Sequence, residues 1–242
     1  MLLDYSIEYF LTLVHIISCN KEGGSMKMKK LLYIVANSKP EEISSSRTVG
    51  RALVNSILEK YNDLELEELD LYNDNIPRPK YNYFGDRSTL VTSDALLKLT
   101  SQEQNDVKQM SKLCDQFVSA SVYVVASPMW SLSFPAVLKD YIDCIIQADK
   151  TITFTNDKPE GLLSDKPRTF IYVQSSGANI PWIMKPILDK GLNYVEDTMK
   201  FIGISQCEKL LIDGTGTTEA EKSEAIESAK SKIDKIIDQI FF

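Results

Sequence analysis

The feature that most constrains this chain is a rhythm. From Lys29 onward, short apolar runs alternate with stretches whose apolar residues recur every three or four positions. Residues 31–36 (LLYIVA), 122–127 (VYVVAS) and 170–174 (FIYVQ) are near-continuous apolar runs, as strands buried on both faces require. Val49, Leu53 and Ile57 predict a helix over 46–61, and residues 64–71 (LELEELDL) alternate apolar with acidic, which suits a strand near a sheet edge. Residues 72–100 read as irregular, with Tyr81, Tyr83 and Phe84 conspicuous among them. Ser101 opens a capping box, and Val107, Met110, Leu113, Cys114 and Phe117 form one stripe of the helix that follows. Pro135 starts the next helix, through Val137, Leu138, Tyr141, Ile142 and Ile145. A β excursion over 151–155, a helix over 185–202 and a strand over 206–213 come next. Thr218 and Glu221 then cap a last helix with Ile226, Ala229, Ile233, Ile236 and Ile240 on one face. Five β-α units joined by right-handed crossovers predict an α/β fold: a five-stranded parallel sheet of order 2-1-3-4-5, helices on both faces.

Composition narrows the function. The chain of 242 residues carries 34 acidic against 27 basic side chains, a net charge of −7 that opposes binding to a nucleic-acid backbone. A single histidine, His15, excludes Ser-His-Asp, Cys-His and multi-histidine metal chemistry by count, so no metal site is expected. Cys19, Cys114, Cys144 and Cys207 form no C-x-x-C pair and read as free thiols of a cytoplasmic protein. The apolar stretch 7–19 is too short to span a bilayer, and residues 1–6 lack the basic start of a signal peptide. Lys21-Glu22-Gly23 is encodable as a purine-rich ribosome-binding sequence shortly before the codon for Met26. We therefore expect residues 1–25 to be an N-terminal extension outside the native protein, and 26–242 to be the functional domain. An amphipathic helix docked on the body or on a membrane is the competing expectation, and intact mass separates the two.

In a sheet of this order, ligands bind beyond the carboxyl ends of the strands, at the switch between strands 1 and 3. After strand 1 come Ser38, Ser44, Ser45 and Ser46, the last three at a helix start. Hydroxyls, unbonded amides and the helix dipole there make either a phosphate cradle or a plain cap. After strand 3 come Pro128, Met129, Trp130, Ser131 and Leu132, an apolar shelf suited to a flat ring. After strand 4 come Ser175, Ser176, Gly177 and Ala178, small residues that let backbone meet a ring edge. Gly214-Thr215-Gly216 reads as a turn before the Thr218 cap.

Taken together, these segments resemble the FMN-dependent NADH-azoreductases, part of the flavodoxin-like NAD(P)H quinone reductases, from about Lys29 to near the C-terminus. Pro128 to Pro135 followed by Leu138-Lys139-Asp140-Tyr141-Ile142-Asp143 carries the resemblance most strongly. Thr155 with Pro159-Glu160-Gly161-Leu162, and Phe201-Ile202-Gly203-Ile204, add two further matching segments. The resemblance implies a flavodoxin-like domain binding FMN, with FAD as the other possibility. Ser38, Ser44, Ser45 and Ser46 then hold the phosphate and ribityl chain, Pro128 to Leu132 lie against the ring, and Ser175 to Ala178 meet its pyrimidine edge. It also implies ping-pong transfer of electrons from NADH to quinones and azo compounds, with no side-chain acid or base needed for the chemistry. The implied assembly is a homodimer with a shared active site; Trp130, Phe154 and Trp182 are candidates for the substrate pocket, with Tyr81, Tyr83 and Phe84 for pocket or dimer contact. Two positions depart from the family pattern. Ser131 stands where asparagine is usual, and Ala178 where the second glycine of a pair is common. If these positions act through backbone amides, both changes are tolerable; if the asparagine side chain matters, flavin affinity or potential differs. A non-catalytic electron carrier and an NAD(P)-sensing regulator of the same fold are the alternatives.

Overall fold

Each apolar run becomes a strand because its β-branched and aromatic side chains find cover on both faces of one sheet. The computed structural model describes residues 28–180, 183–184 and 188–242. The N-terminal stretch with His15 and Cys19, Trp182, and part of the expected 185–202 helix lie outside the described residues. In chain order the strands are β1 (Lys29–Val35), β2 (Leu64–Asp70), β3 (Phe84–Asp86), β4 (Thr89–Leu90), β5 (Val122–Pro128), β6 (Ile152–Thr155), β7 (Lys158–Gly161), β8 (Thr169–Ser175) and β9 (Gln206–Ile212). The helices are α1 (Ser45–Lys60), α2 (Ser93–Leu97), α3 (Ser101–Ser119), α4 (Ala136–Ile145), α5 (Lys190–Phe201), α6 (Glu219–Lys230) and α7 (Ile233–Ile237).

The main sheet has five parallel strands in the order β2-β1-β5-β8-β9, which is 2-1-3-4-5 when only its own strands are counted. All of β5 is buried, as its sequence requires of a central strand. β2 is the edge. Two of its acidic residues are held by side chains, Glu68 by both terminal nitrogens of Arg51 at 2.7 Å and Glu67 by Lys30 and Gln116. Such a charged edge resists pairing with another strand.

The period-2 alternation of the strands creates two cores. Leu31, Tyr33 and Val35, Val122, Val124 and Ala126, and Ile171 and Val173 face α1, α6 and α7. Leu32 and Ile34, Tyr123 and Val125, and Phe170 and Tyr172 face α3, α4 and α5. Helix α1 lies close to the sheet at Gly50, where a Cβ would stand 2.9 Å from Tyr33 Oη and 3.0 Å from Ala126 Cβ. Among the described residues, no helix is long and apolar enough to cross a membrane, and no group of His, Cys, Asp and Glu is placed to hold a metal ion. Cys114 and Cys144 are buried free thiols, and desolvation pushes both up to about 12.

Three sequence expectations need correction. The cap of α3 is Thr100, not Ser101: Thr100 Oγ1 accepts from the Glu103 amide at 3.3 Å, and Glu103 Oε2 accepts from the Thr100 amide at 3.1 Å. The Thr-x-x-Glu frame wins over Ser-x-x-Gln one residue later because a carboxylate is the stronger acceptor. The last helix is two helices, broken at Ser231–Lys232. Thr169 Oγ1 binds both the amide and the carbonyl of Phe241, at 3.0 and 2.8 Å, and Phe242 packs edge-on to Tyr61. These anchors curl the terminus under the sheet, where a straight helix would leave it behind. Residues 72–100 are also more ordered than their composition suggests. They hold a 3-10 turn at Tyr81–Tyr83, the β3–β4 pair and α2. Tyr83 anchors the segment, fully buried with its hydroxyl on Asp106 at 2.7 Å, while Tyr81 is exposed.

The β excursion at 151–155 proves to be one arm of the β6–β7 hairpin, turned by Asn156 and Asp157 at φ 50° and 62°. Its end meets the segment before β9. A Cβ on Gly161 would overlap the backbone of Phe201 and Ile202, and Leu163 donates to the Ile202 carbonyl at 2.8 Å. Two segments that stood apart in the sequence as family resemblances thus form one contact.

Candidate functional site

Parity carries three strand ends to one place. Val35, Ala126 and Val173 point toward α1, so Asn37, Pro128 and Ser175, two residues further on, point to the same side just past the core. The loops above them are tied together: the Ala36 amide donates to Ala126 O at 2.8 Å and the Met129 amide to Ser175 O at 2.7 Å. Here a cleft of about 480 Å³ opens at the switch between β1 and β5. Asn37, Lys39, Ile43 and Ser45 form one wall. Pro128, Met129 and Trp130, with Ser175 and Gly177, form the floor and second wall. Residues 215–219 and Lys222 close the remaining side. Its volume is within the usual range for ligand sites, about 300–1,000 Å³.

The amino end of α1 is built around a buried polar triangle. Asn37 Nδ2 donates to Ser44 Oγ at 2.8 Å and to Ser46 Oγ at 3.0 Å, while its Oδ1 accepts from the Lys39 amide at 3.0 Å. Ser44 is the N-cap, accepting from the Arg47 amide at 3.3 Å. Arg47 Nη1 reaches Lys39 O at 3.1 Å, Asn37 O at 3.4 Å and Asp70 at 3.3 Å, fixing the loop to β2. The amides of Ser45 and Ser46 fall in the first turn, where a helix offers no carbonyl four residues back. Together with the positive end of the helix dipole they favour an anion beside Ser45.

The shelf owes its form to a tight turn. Trp130 and Ser133 exchange backbone hydrogen bonds of 2.9 and 2.8 Å, and the residues between them, Ser131 and Leu132, take φ 51° and 61°. This is the type I′ pattern, which asparagine and glycine enter readily and leucine does not. Trp130 and Leu132 each remain 47% exposed at this rim, apolar surface carried on a strained turn.

Of the residues singled out in the sequence, the structure brings Ser45, Pro128, Met129, Trp130, Ser175 and Gly177 together in the cleft wall. Ser44 and Ser46 lie beneath it, their hydroxyls engaged by Asn37. Ser38 is exposed and outside the lining, and Ser131 and Leu132 form the tip of the turn beside it. Ser176 is buried, its hydroxyl on Ala178 O at 2.7 Å and on Asp213 at 3.2 Å. Ala178 is exposed and accepts the Gly214 amide at 3.1 Å. Phe154 is outside the cleft lining: it sits on β6 with the Arg87 guanidinium 5.4 Å over its ring. Trp182 lies outside the described residues.

The sequence reading missed Asn37, Lys39, Ile43 and the whole wall from Thr215 to Lys222. Asn37 had a signal: it is the first polar residue after an unbroken apolar run, and a polar side chain buried at a strand end needs partners. The last wall had none, because hydrogen bonds between distant loops build it.

A parallel five-stranded sheet with a helix amino end and an apolar shelf facing one cleft at its switch point defines an α/β domain of the mononucleotide-binding type. A sequence profile described as the flavodoxin-like fold matches residues 29–237, and the chain belongs to this family. An FMN-dependent NADH:quinone oxidoreductase of Ruminiclostridium cellulolyticum is 64% identical over 213 residues, which cover 88% of this chain and 100% of that protein. A Clostridium botulinum protein of the same name (strain Eklund 17B / Type B) is 58% identical over 215 residues, covering 88% and 100%. Among solved structures, an FMN-dependent NADH-azoreductase from Bacillus anthracis in complex with FMN superimposes with a TM-score of 0.72 at 25% identity, covering 87% of this chain and 100% of that one.

Proposed function

We propose that this protein is an FMN-dependent oxidoreductase that takes electrons from NADH and passes them to quinones, and that it also cleaves azo compounds reductively by a ping-pong mechanism. The observation that carries the reading is the single cleft in which an anion-favouring helix end and an aromatic shelf converge. The relatives named above support the choice of cofactor, donor and acceptor. The donor set fits FMN: the Ser45 and Ser46 amides for the phosphate, Pro128, Met129 and Trp130 for the ring, and the backbone of Ser175 to Gly177 for its polar edge. Bound FMN supplies the electron transfer between nicotinamide and acceptor, chemistry that side chains lack.

The chain's own task is to bind and orient. Asn37 fixes the loop below the helix end, and Arg47 locks that loop to β2. The turn at Trp130 holds a flat surface at the rim, where a planar acceptor stacks with little selectivity among ring systems. In this proposal donor and acceptor use the one opening in succession, and the kinetics are therefore ping-pong. Electron transfer through the flavin calls for no side-chain acid or base, and the proposal takes product protons from water. Pairing of two copies over the exposed rim is part of the proposal, checked by light scattering.

The test is the visible spectrum of the purified protein, then NADH oxidation with a benzoquinone and no added reductase. A yellow protein with bound FMN and unassisted turnover is expected. A yellow protein that needs a partner reductase is an electron carrier, and a colourless one inactive with added FMN or FAD removes the enzyme reading.

A further inference from the structure

The wall that follows β9 lies outside the loops that the switch-point rule assigns to the ligand. It is held in register by the 176–178 loop: Gly214, Thr215 and Gly216 amides donate to the carbonyls of Ala178, Ser176 and Gly177 at 3.1, 3.1 and 3.0 Å, and Thr215 Oγ1 donates to Ser176 O at 3.1 Å. This pairing sets the start of α6, and with it Lys222, against the cleft.

Lys222 is half-buried at the cleft and only loosely paired. It follows the first turn of α6. Its side chain is only 21% exposed, yet its partner Glu219 is 91% exposed and 3.5 Å away. Charge-assisted hydrogen bonds of good geometry run at about 2.7–2.9 Å, so this pair is loose and exchangeable. Lys39 lines the wall across from it. The backbone of Lys39 is fixed by Asn37 and Arg47, while its ammonium group makes no ion pair among the described residues. Two cations and one carboxylate, Glu219, thus line the cleft that also holds the amino end of α1, an excess of positive charge in a chain whose net charge is −7.

Resting on the flavin reading above, we infer that Lys222 and Lys39 clamp the terminal phosphate of the flavin and make the cleft selective for FMN over riboflavin. On binding, Lys222 exchanges Glu219 for the phosphate. The β9 loop is therefore a specificity element, and the neutral groups at the start of α1 supply only part of the phosphate affinity.

The test compares Lys222→Met, Lys39→Met and the double variant with Lys235→Met, which removes the same charge from the exposed face of α7. Protein loaded with FMN or with riboflavin is diluted, and flavin release is followed by fluorescence. Each cleft variant should weaken FMN by about three- to tenfold, as partly screened ion pairs do, and leave riboflavin within about twofold. The double variant should lose about tenfold or more of the preference for FMN, keeping only what the Ser45 and Ser46 amides sustain, and Lys235→Met should match the parent. Equal weakening of both flavins, which a structural role would give, overturns the inference, as does unchanged FMN affinity. A raised KM for NADH with FMN retention intact moves the lysines to the reductant and also overturns it. A protein that takes up neither flavin overturns the flavin reading itself, a failure distinct from the others.

Discussion

Asn37→Ala tests the foundation of the site. The side chain is 4% exposed and makes three hydrogen bonds, to Ser44 Oγ, Ser46 Oγ and the Lys39 amide. Alanine removes all three. Ser44 keeps its bond from the Arg47 amide, but Ser46, fully buried, is left with only the 3.4 Å contact to Ser44. At about 0.5–1.5 kcal/mol for each buried bond, with part of the desolvation cost of the groups left behind, the loss is about 2–4 kcal/mol. For a domain of this size that lowers Tm by roughly 5–15 °C. The loop from Asn37 to Ser44 should loosen as well, so FMN retention falls along with stability. Thermal unfolding by circular dichroism, with and without FMN, measures both. A Tm within about 1 °C of the parent would refute the claim that this triangle supports the helix end, since a buried polar group with three partners cannot be deleted at so little cost.

Three further outcomes follow from particular contacts. Ser131→Asn should raise stability by about 0.5 kcal/mol, a fraction of the ~1–3 kcal/mol strain of a left-handed non-glycine residue, and leave flavin affinity unchanged; a change in affinity at equal stability would assign the position a side-chain role. Glu103 is held well below its ordinary 4.5, at about 2, first by Asn82 and then by the amide and hydroxyl of Thr100. A depressed carboxylate stabilises the fold above its unfolded value and loses that contribution as pH falls through the folded one. Glu103→Gln should therefore destabilise at pH 7, with the difference fading between pH 4.5 and about 2; a gap that persists in strong acid contradicts the cap. Gly161→Ala should cost about 1–3 kcal/mol by forcing β7 off Ile202, read as a lower denaturant midpoint, and an unchanged midpoint would show that the contact yields freely.

Periodicity reached far because burial on both faces leaves a strand few polar options. The five strands, both cores and the α3 stripe follow from it, and the strand order from the crossover rule added to it. What it could not reach depends on contacts between residues distant in the chain. The break at Ser231–Lys232 is set by Thr169 holding Phe241, seventy-two positions away. The wall at 215–222 exists because backbone amides pair with the 176–178 loop. At the site, residue type pointed to Ser45, Trp130 and Gly177, but it could not tell a hydroxyl facing the cleft from one facing Asn37. The left-handed backbone of Ser131, φ 51°, suits the asparagine that the resembling family usually has there, and Ser131→Asn tests whether the side chain also acts on the flavin.

The most direct measurement is a crystal structure of the protein with FMN. The account places the phosphate at the Ser45 amide between Lys39 and Lys222, and the ring against Pro128, Met129 and Trp130. Flavin density anywhere else, or a cleft that closes on itself and admits none, would contradict it.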